Sequence, residues 1–318
     1  MLLDIFIASI IGLFVGMIVN ILADELPYRT FFTQSIQPPS DATKDELAEY
    51  AKFNALLAQR NRRGYYPVYP DGTPRPPSAW MGVLAFALGK RLPEHPQPDE
   101  VRSRGHREAA GWTLSWRHPL TEIMTAILFG IAVYASGTIP DMNSAQYYLN
   151  FVYMAIFALI IAIDMEHKLI LFVVMIPAIV LAVIDAWLIS PPLPNLEDAL
   201  IGGVLGFGVF YSLYLLGFVF RWVLNTFAGR NITTVAFGYG DVMMLTLTGV
   251  LVGTLYTLVA IAVTTLLGAL GALLYLITKA IISRTNASMT AIPYGPYIVI
   301  ATIIMMFWGN DVYRFFVG

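Results

Sequence analysis

Two aspartates mark where this sequence could do chemistry. Asp164 closes the apolar run Phe157-Ala-Leu-Ile-Ile-Ala-Ile163, and Asp241 follows Phe237-Gly238-Tyr239-Gly240 at the opening of another apolar stretch. An ionised side chain in a membrane-length apolar segment is costly and is generally kept for a reason. Two carboxylates held close together cannot both ionise easily, so such a pair shares a proton. One member can then draw a proton from a water while the other hydrogen-bonds a scissile carbonyl. Proton exchange between them protonates the leaving amine, and a peptide bond is hydrolysed. Gly238 and Gly240 suit this chemistry, because a missing Cβ lets a substrate backbone or a neighbouring helix approach the carboxylate. The same string also has a simpler reading. An aspartate at a helix start caps the dipole, and spacing alone does not separate the two.

Other polar residues lie in apolar surroundings. Asn20, in Gly16-Met-Ile-Val-Asn20, can hydrogen-bond between helices. Glu122, in Pro119-Leu-Thr-Glu122, either supports the site or complements the dipole of the span it opens. Pro293-Tyr-Gly-Pro296, with Gly295 inside it, reads as a loop with a proline helix start, at the boundary expected to hold the aspartates. Asp185 shows no comparable partner and reads as an interfacial or packing residue. The absence of cysteine excludes disulfides, thiolate zinc sites and cysteine nucleophiles. His95, His106, His118 and His167 lack metal-ligand spacing, so zinc is not expected.

The elements that must position these residues are membrane helices. The chain is 57% hydrophobic and only 13% charged, with a mean hydropathy of +0.67, well beyond the needs of a soluble core. Apolar runs of about span length recur at 2–25, 119–137, 147–164, 169–190, 198–222, 256–280 and 291–308. A shorter run, 242–254, ends in a Gly249 to Gly253 turn. The expected fold is therefore all-α: a polytopic bundle of about eight transmembrane helices with one long loop between the first and second. The first run carries Asp4 where a signal peptide needs a basic region, and it reads as a retained anchor. Of the 19 Lys and Arg, 13 lie between Arg29 and Arg117, which places that segment in the cytoplasm. Lys168, Arg221, Arg230, Lys279 and Arg284 then fall on the cytoplasmic side as well. Asp164 and Asp241 share that boundary. The division expected is 1–25 as the first helix, 26–118 as the cytoplasmic loop region and 119–318 as the transmembrane catalytic bundle. Within the loop, Ser40 to Arg63 reads as an amphipathic helix. Tyr65 to Pro77 must be extended or turned, and Trp80 to Leu88 is apolar but too short to span. The net charge of -2 gives no sign of a nucleic-acid partner.

Five segments, in order, make the sequence resemble the type IV prepilin peptidase (prepilin leader peptidase/N-methyltransferase) family. Gly16-Met-Ile-Val-Asn20 through Leu26-Pro27 is similar to the family's opening Gly-Ser-Phe-Leu-Asn and Arg-Leu-Pro. Arg117-His-Pro119-Leu-Thr-Glu122 resembles Arg-Tyr-Pro-Leu-Val-Glu. Ile163-Asp164 and Gly238-Tyr-Gly-Asp241 stand where the two catalytic aspartates are expected, and Ile292-Pro-Tyr-Gly-Pro296 resembles Ile-Pro-Phe-Gly-Pro. The resemblance implies an aspartic endopeptidase of the inner (plasma) membrane, multi-pass, with its active site facing the cytoplasm. Asp164 and Asp241 would be catalytic; Gly238, Gly240, Glu122, Pro293 and Gly295 would bind substrate or support the site. The implied partners are a type IV prepilin or pseudopilin with a basic leader, and membrane lipid. Proteolysis would need no cofactor. Many members also methylate the new amino terminus with S-adenosylmethionine, and Gly89-Lys90 resembles a pair linked to that activity. The sequence departs from the family in lacking the loop cysteines that others carry, and in reading Leu169-Ile-Leu-Phe172 where Leu-Pro-Asp is usual. A different class, an ion-coupled transporter or channel subunit, would use the same aspartates to bind a cation or relay protons. Their position near one boundary rather than the midplane weighs against it.

Overall fold

The computed structural model describes residues 1–31, 47–48, 51, 65–69, 74–92, 113–140, 142–188, 194–227, 238–282 and 293–317. The expected Ser40 to Arg63 helix lies almost wholly outside them. Among the described residues the secondary structure is helical apart from a single isolated bridge, Val68 to Pro74. Six helices among the described residues are long and apolar enough to cross a membrane, and Phe172–Leu188 is a shorter apolar one. The polytopic helical class expected from the apolar runs is the one found. The chain divides into two compact units, Leu2–Ile131 and Ala132–Gly318, with Met1 grouped in the latter.

In the first unit, α1 (Leu2–Phe31) pairs with α3 (Arg117–Ser136) through missing side chains. A Cβ on Gly12 would lie 2.7 Å from the Ala126 Cα, and one on Gly16 would lie 2.6 Å from the Glu122 Cα. Glycines one turn apart thus let the two backbones approach closely, as in small-xxx-small membrane packing. Between these helices in sequence come a 3-10 turn, Pro77–Ala79, and the short helix α2, Gly82–Ala87. Their apolar residues bury against Tyr69 and Leu114, forming a small core of Tyr69, Ala79, Ala85 and Leu114 with Phe86 packed on it. The apolar stretch around Trp80 to Leu88 therefore fills a core instead of spanning.

The second unit holds α4 (Ser144–His167), α5 (Phe172–Leu188), α6 (Leu196–Phe227), α7 (Tyr239–Ile282) and α8 (Gly295–Val317). Asn143 caps α4 by accepting from the Ala145 N–H, and Lys168 ends it in the left-handed conformation with φ 54°. One buried stripe of α6, comprising Ala199, Gly202, Gly203, Gly206 and Phe210, packs on α7. There a Cβ on Gly203 would meet the Val250 side chain at 2.7 Å.

Helix α7 is broken at Gly253, where φ is 78° and ψ 177°. The expected turn at Gly249 to Gly253 narrows to this single residue, the preceding ones staying helical. A straight helix would separate Asp241 from Gly268 by about 40 Å. Yet Tyr294 packs on Gly268 and on Phe210, whose neighbour Tyr211 meets Tyr239 at the start of α7, so the chain doubles back at Gly253. Only glycine adopts such φ without strain. The freed Thr254 N–H is capped by the Asp198 carboxylate from α6, at 3.1 Å. Counting the two halves separately gives eight apolar helical segments among the described residues, of which the first half of α7 is the short sixth. Helix α8 continues past the expected 291–308 run, through a local break at Trp308.

Candidate active site

The two sequence-marked aspartates stand at the ends of helices of the second unit. Asp164 occupies the last turn of α4, and its side chain is buried at 4% exposure. The Gly295 N–H, at the start of α8, donates to Asp164 Oδ2 at 2.9 Å. This bond points the positive end of a helix dipole at the carboxylate. Asp241 lies in the first turn of α7, half-buried, and its Oδ2 accepts from the Gly238 N–H at 3.1 Å. The charges of Asp164 and Asp241 act on one another. Lys168, one turn beyond Asp164, brings a positive charge that acts on Asp164 as well.

The glycines have separate uses. A Cβ on Gly295 would sit 2.7 Å from Asp164 Oδ2, so only glycine lets the α8 terminus come this close. A Cβ on Gly240 would lie 2.6 Å from the Ile170 Cβ. The sequence left open whether substrate or protein approaches Gly240; the neighbour present is the 169–171 segment following Asp164. Gly238 contributes its N–H. Pro293 precedes Tyr294 and Gly295 as the lead into α8.

Rings surround this end of the bundle. Tyr239 packs on Phe172 at 5.6 Å between centroids and on Tyr214 at 5.7 Å. Tyr294 meets Phe210 at 6.4 Å and Tyr297 at 6.1 Å. Sequence reasoning passed over Tyr294 and Ile170; the only signal for Tyr294 was its place inside the Pro293 to Pro296 string.

Glu122, by contrast, is a structural acceptor of the first unit. Its Oε1 takes the Gly82 N–H at 2.6 Å and its Oε2 the Val83 N–H at 2.9 Å. It therefore caps α2 and not the span it opens. Asn20 bonds both Glu122 Oε1, at 3.2 Å, and the His118 carbonyl, at 2.9 Å. Beside it, Asp24 pairs with Arg117, with His118 Nε2 at 3.2 Å and with Arg75 at 3.6 Å. Burial pulls the Arg75 pKa below its ordinary value, opposed by the Asp24 carboxylate. Asp24 and Arg75 were not singled out in the sequence. Asp24 follows Asn20 by one turn, which was the available sign, whereas Arg75 sits in a proline-rich stretch with none. Asp185 does have a partner: the Tyr153 hydroxyl donates to its Oδ2 at 2.7 Å.

Gly89 and Lys90, expected as methyl-transfer residues, terminate α2. Gly89 adopts φ +68°, and the Lys90 N–H returns to the Ala85 carbonyl at 2.8 Å, a Schellman stop. The Lys90 ammonium donates to Ser78 Oγ at 2.8 Å. These contacts account for the pair as a helix end. Among the described residues no group of three His, Cys, Asp or Glu is placed to hold a metal ion.

Fold and site together define a polytopic helical membrane protein with two interacting aspartates at one end of its helices. Residues 151–276, which include both aspartates, match the type IV leader peptidase family, so the resemblance read from the motifs holds over the helices that carry the site. The prepilin leader peptidase/N-methyltransferase of Xanthomonas campestris pv. campestris is 28% identical over 210 residues, 65% of this chain and 64% of that protein. The protein of the same name from Pseudomonas aeruginosa is 28% identical over 198 residues, 62% of this chain and 60% of its own length. That from Pseudomonas putida is 28% identical over 211 residues, 66% and 65% of the two. The chain thus spans less than two thirds of the length of these relatives. No solved structure matches it.

Proposed function

We propose that this protein is a membrane aspartic endopeptidase that removes the basic leader of type IV prepilins or pseudopilins at the cytoplasmic boundary of the inner membrane. The observation that carries this reading is that the chain beside Asp164 and the chain beside Asp241, from separate helices, pack together, Ile170 against Gly240 and Phe172 against Tyr239, with each carboxylate accepting a backbone N–H from a glycine. One carboxylate takes a proton from water as the water attacks the scissile carbonyl; the other, protonated, donates to the carbonyl oxygen and then passes its proton to the leaving amine. The match to the type IV leader peptidase family and the names of the relatives support the same substrate class. Concentration of Lys and Arg between Arg29 and Arg117 supports a cytoplasmic orientation. The relatives' names also carry N-methyltransferase, so methylation of the new amino terminus with S-adenosylmethionine is a second activity the same reading admits.

Asp164→Asn and Asp241→Asn keep size while removing the titratable proton. Each single variant, assayed on a prepilin with a basic leader in membranes, is expected to lose cleavage while remaining inserted. Cleavage retained by both would reject the pair as the catalytic centre.

A further inference from the structure

Helix α6 carries a column of rings that the two-aspartate scheme does not use. Phe207 stacks on Tyr211 with centroids 5.2 Å apart, Tyr211 lies over Tyr214 at 6.2 Å, and Tyr214 meets Phe218 edge-on at 4.9 Å. Spacings of four, three and four residues place all of them on one face of the helix. Tyr239, two residues before Asp241, packs on Tyr211 at 6.5 Å and on Tyr214 at 5.7 Å, which joins the column to the candidate active site. These rings are half-buried, each with part of its surface uncovered. At the far end the Arg221 guanidinium lies over the Phe218 ring, 5.1 Å from its centroid, so the column already holds one cation by a ring face. The chain supplies no carboxylate along this stretch, since the sequence has no Asp or Glu between Asp198 and Asp241. A further carboxylate here would repel the charge that the aspartate pair must carry, whereas a neutral ring face attracts a cation without adding a negative charge.

We propose that Tyr239, Tyr214 and Phe218 form the subsite for the Lys and Arg side chains of the leader, held over ring faces as Arg221 is held over Phe218. The inference rests on the peptidase reading and deepens it by giving the leader a place to bind. In the orientation proposed above, α6 runs towards the cytoplasm from Tyr211 to Arg221, the direction in which the leader departs from the scissile bond. From Tyr211 to Phe218 is about 10 Å of helix, which an extended peptide covers in about three residues. The subsite acts on substrate capture and not on the chemical step, and on basic leaders in particular.

The test is steady-state cleavage by the purified full chain of two substrates, a prepilin with its basic leader and the same prepilin with the leader Lys and Arg replaced by Gln. Tyr214→Leu and Phe218→Leu each remove a ring and keep apolar bulk. Two variants are used so that one failing to fold leaves the other, and KM does not depend on the fraction of enzyme that is active. Each is expected to raise KM for the basic leader about threefold, the scale of one exposed cation–ring contact, with kcat held and KM for the Gln leader unchanged. Tyr214→Phe keeps the ring and is expected to keep the parent's KM for both substrates; a loss equal to that of leucine would give the effect to the hydroxyl and overturn the inference. Equal rises for the two leaders would also overturn it, since the rings would then anchor α6 at the membrane interface or hold apolar parts of the substrate. So would an unchanged KM for the basic leader. Cleavage by Asp241→Asn at the parent's rate would instead remove the peptidase reading on which the inference stands.

Discussion

The Gly295 N–H donates into the Asp164 carboxylate across 131 residues of chain, tying the end of α4 to the start of α8. A carboxylate fixed by a helix terminus does not need to be oriented again in each catalytic cycle, so its aim towards Asp241 is built into the bundle. The contact also makes the site sensitive to a single methyl group.

Gly295→Ala is expected to lower cleavage by about 10- to 100-fold, the scale of a misplacement of roughly 1 Å. The added Cβ would fall 2.7 Å from Asp164 Oδ2, and either the carboxylate or the helix start must shift. Rates measured beside membrane abundance check this; a fully active Gly295→Ala protein would show that the bond does not aim Asp164.

At Gly240 the obstruction is Ile170 and not a carboxylate. Gly240→Ala is expected to destabilise by about 1–3 kcal/mol through overpacking, and pairing it with Ile170→Ala should recover most of that loss. Melting temperatures of the two single variants and the double variant give the coupling. Simple additivity would mean that the two residues do not press on each other.

In the first unit, Asp24 balances Arg117, His118 and Arg75. Removing one side of a buried ionic cluster leaves the others uncompensated, so Asp24→Asn is expected to cost about 3–5 kcal/mol. Hydrogen exchange should quicken most across 74–92, the segment that holds Arg75 and α2. Unchanged protection there would argue that Arg75 is held by packing alone.

Much of this arrangement was legible in the sequence because membrane helices advertise themselves. Apolar runs without charge fixed the helix count, and Asp164 and Asp241 stood out against them at one boundary. Gly253 was recognised as a turn since no side chain competes for its conformation. What stayed hidden depended on contacts between distant residues. Glu122 read either as a support of the site or as a partner for its own helix, yet its oxygens serve Gly82 and Val83, some 40 residues earlier. Asp185 looked solitary because its partner, Tyr153, lies 32 residues away on another helix. Ile170 carries no chemical signal at all; only the missing Cβ of Gly240 gives its position meaning.

The reversal at Gly253 also bears on the bilayer itself. From Tyr239 to Val252 the first half of α7 reaches only about 21 Å at 1.5 Å per residue, and the 17 residues of Phe172–Leu188 about 26 Å. Both fall short of a hydrocarbon layer about 30 Å thick. The first half of α7 is buried among its neighbours, whereas Phe172–Leu188 exposes Val173, Ile176 and Val180; lipid beside that helix must compress, or headgroups and water must dip towards its ends. Asp241 opens one of these short helices and Phe172 starts the other a few residues after Asp164. A bilayer thinned beside Phe172–Leu188 would be thinned next to the chain that follows Asp164, which makes acyl-chain length a variable in how deep a peptide bond can lie and still be wetted.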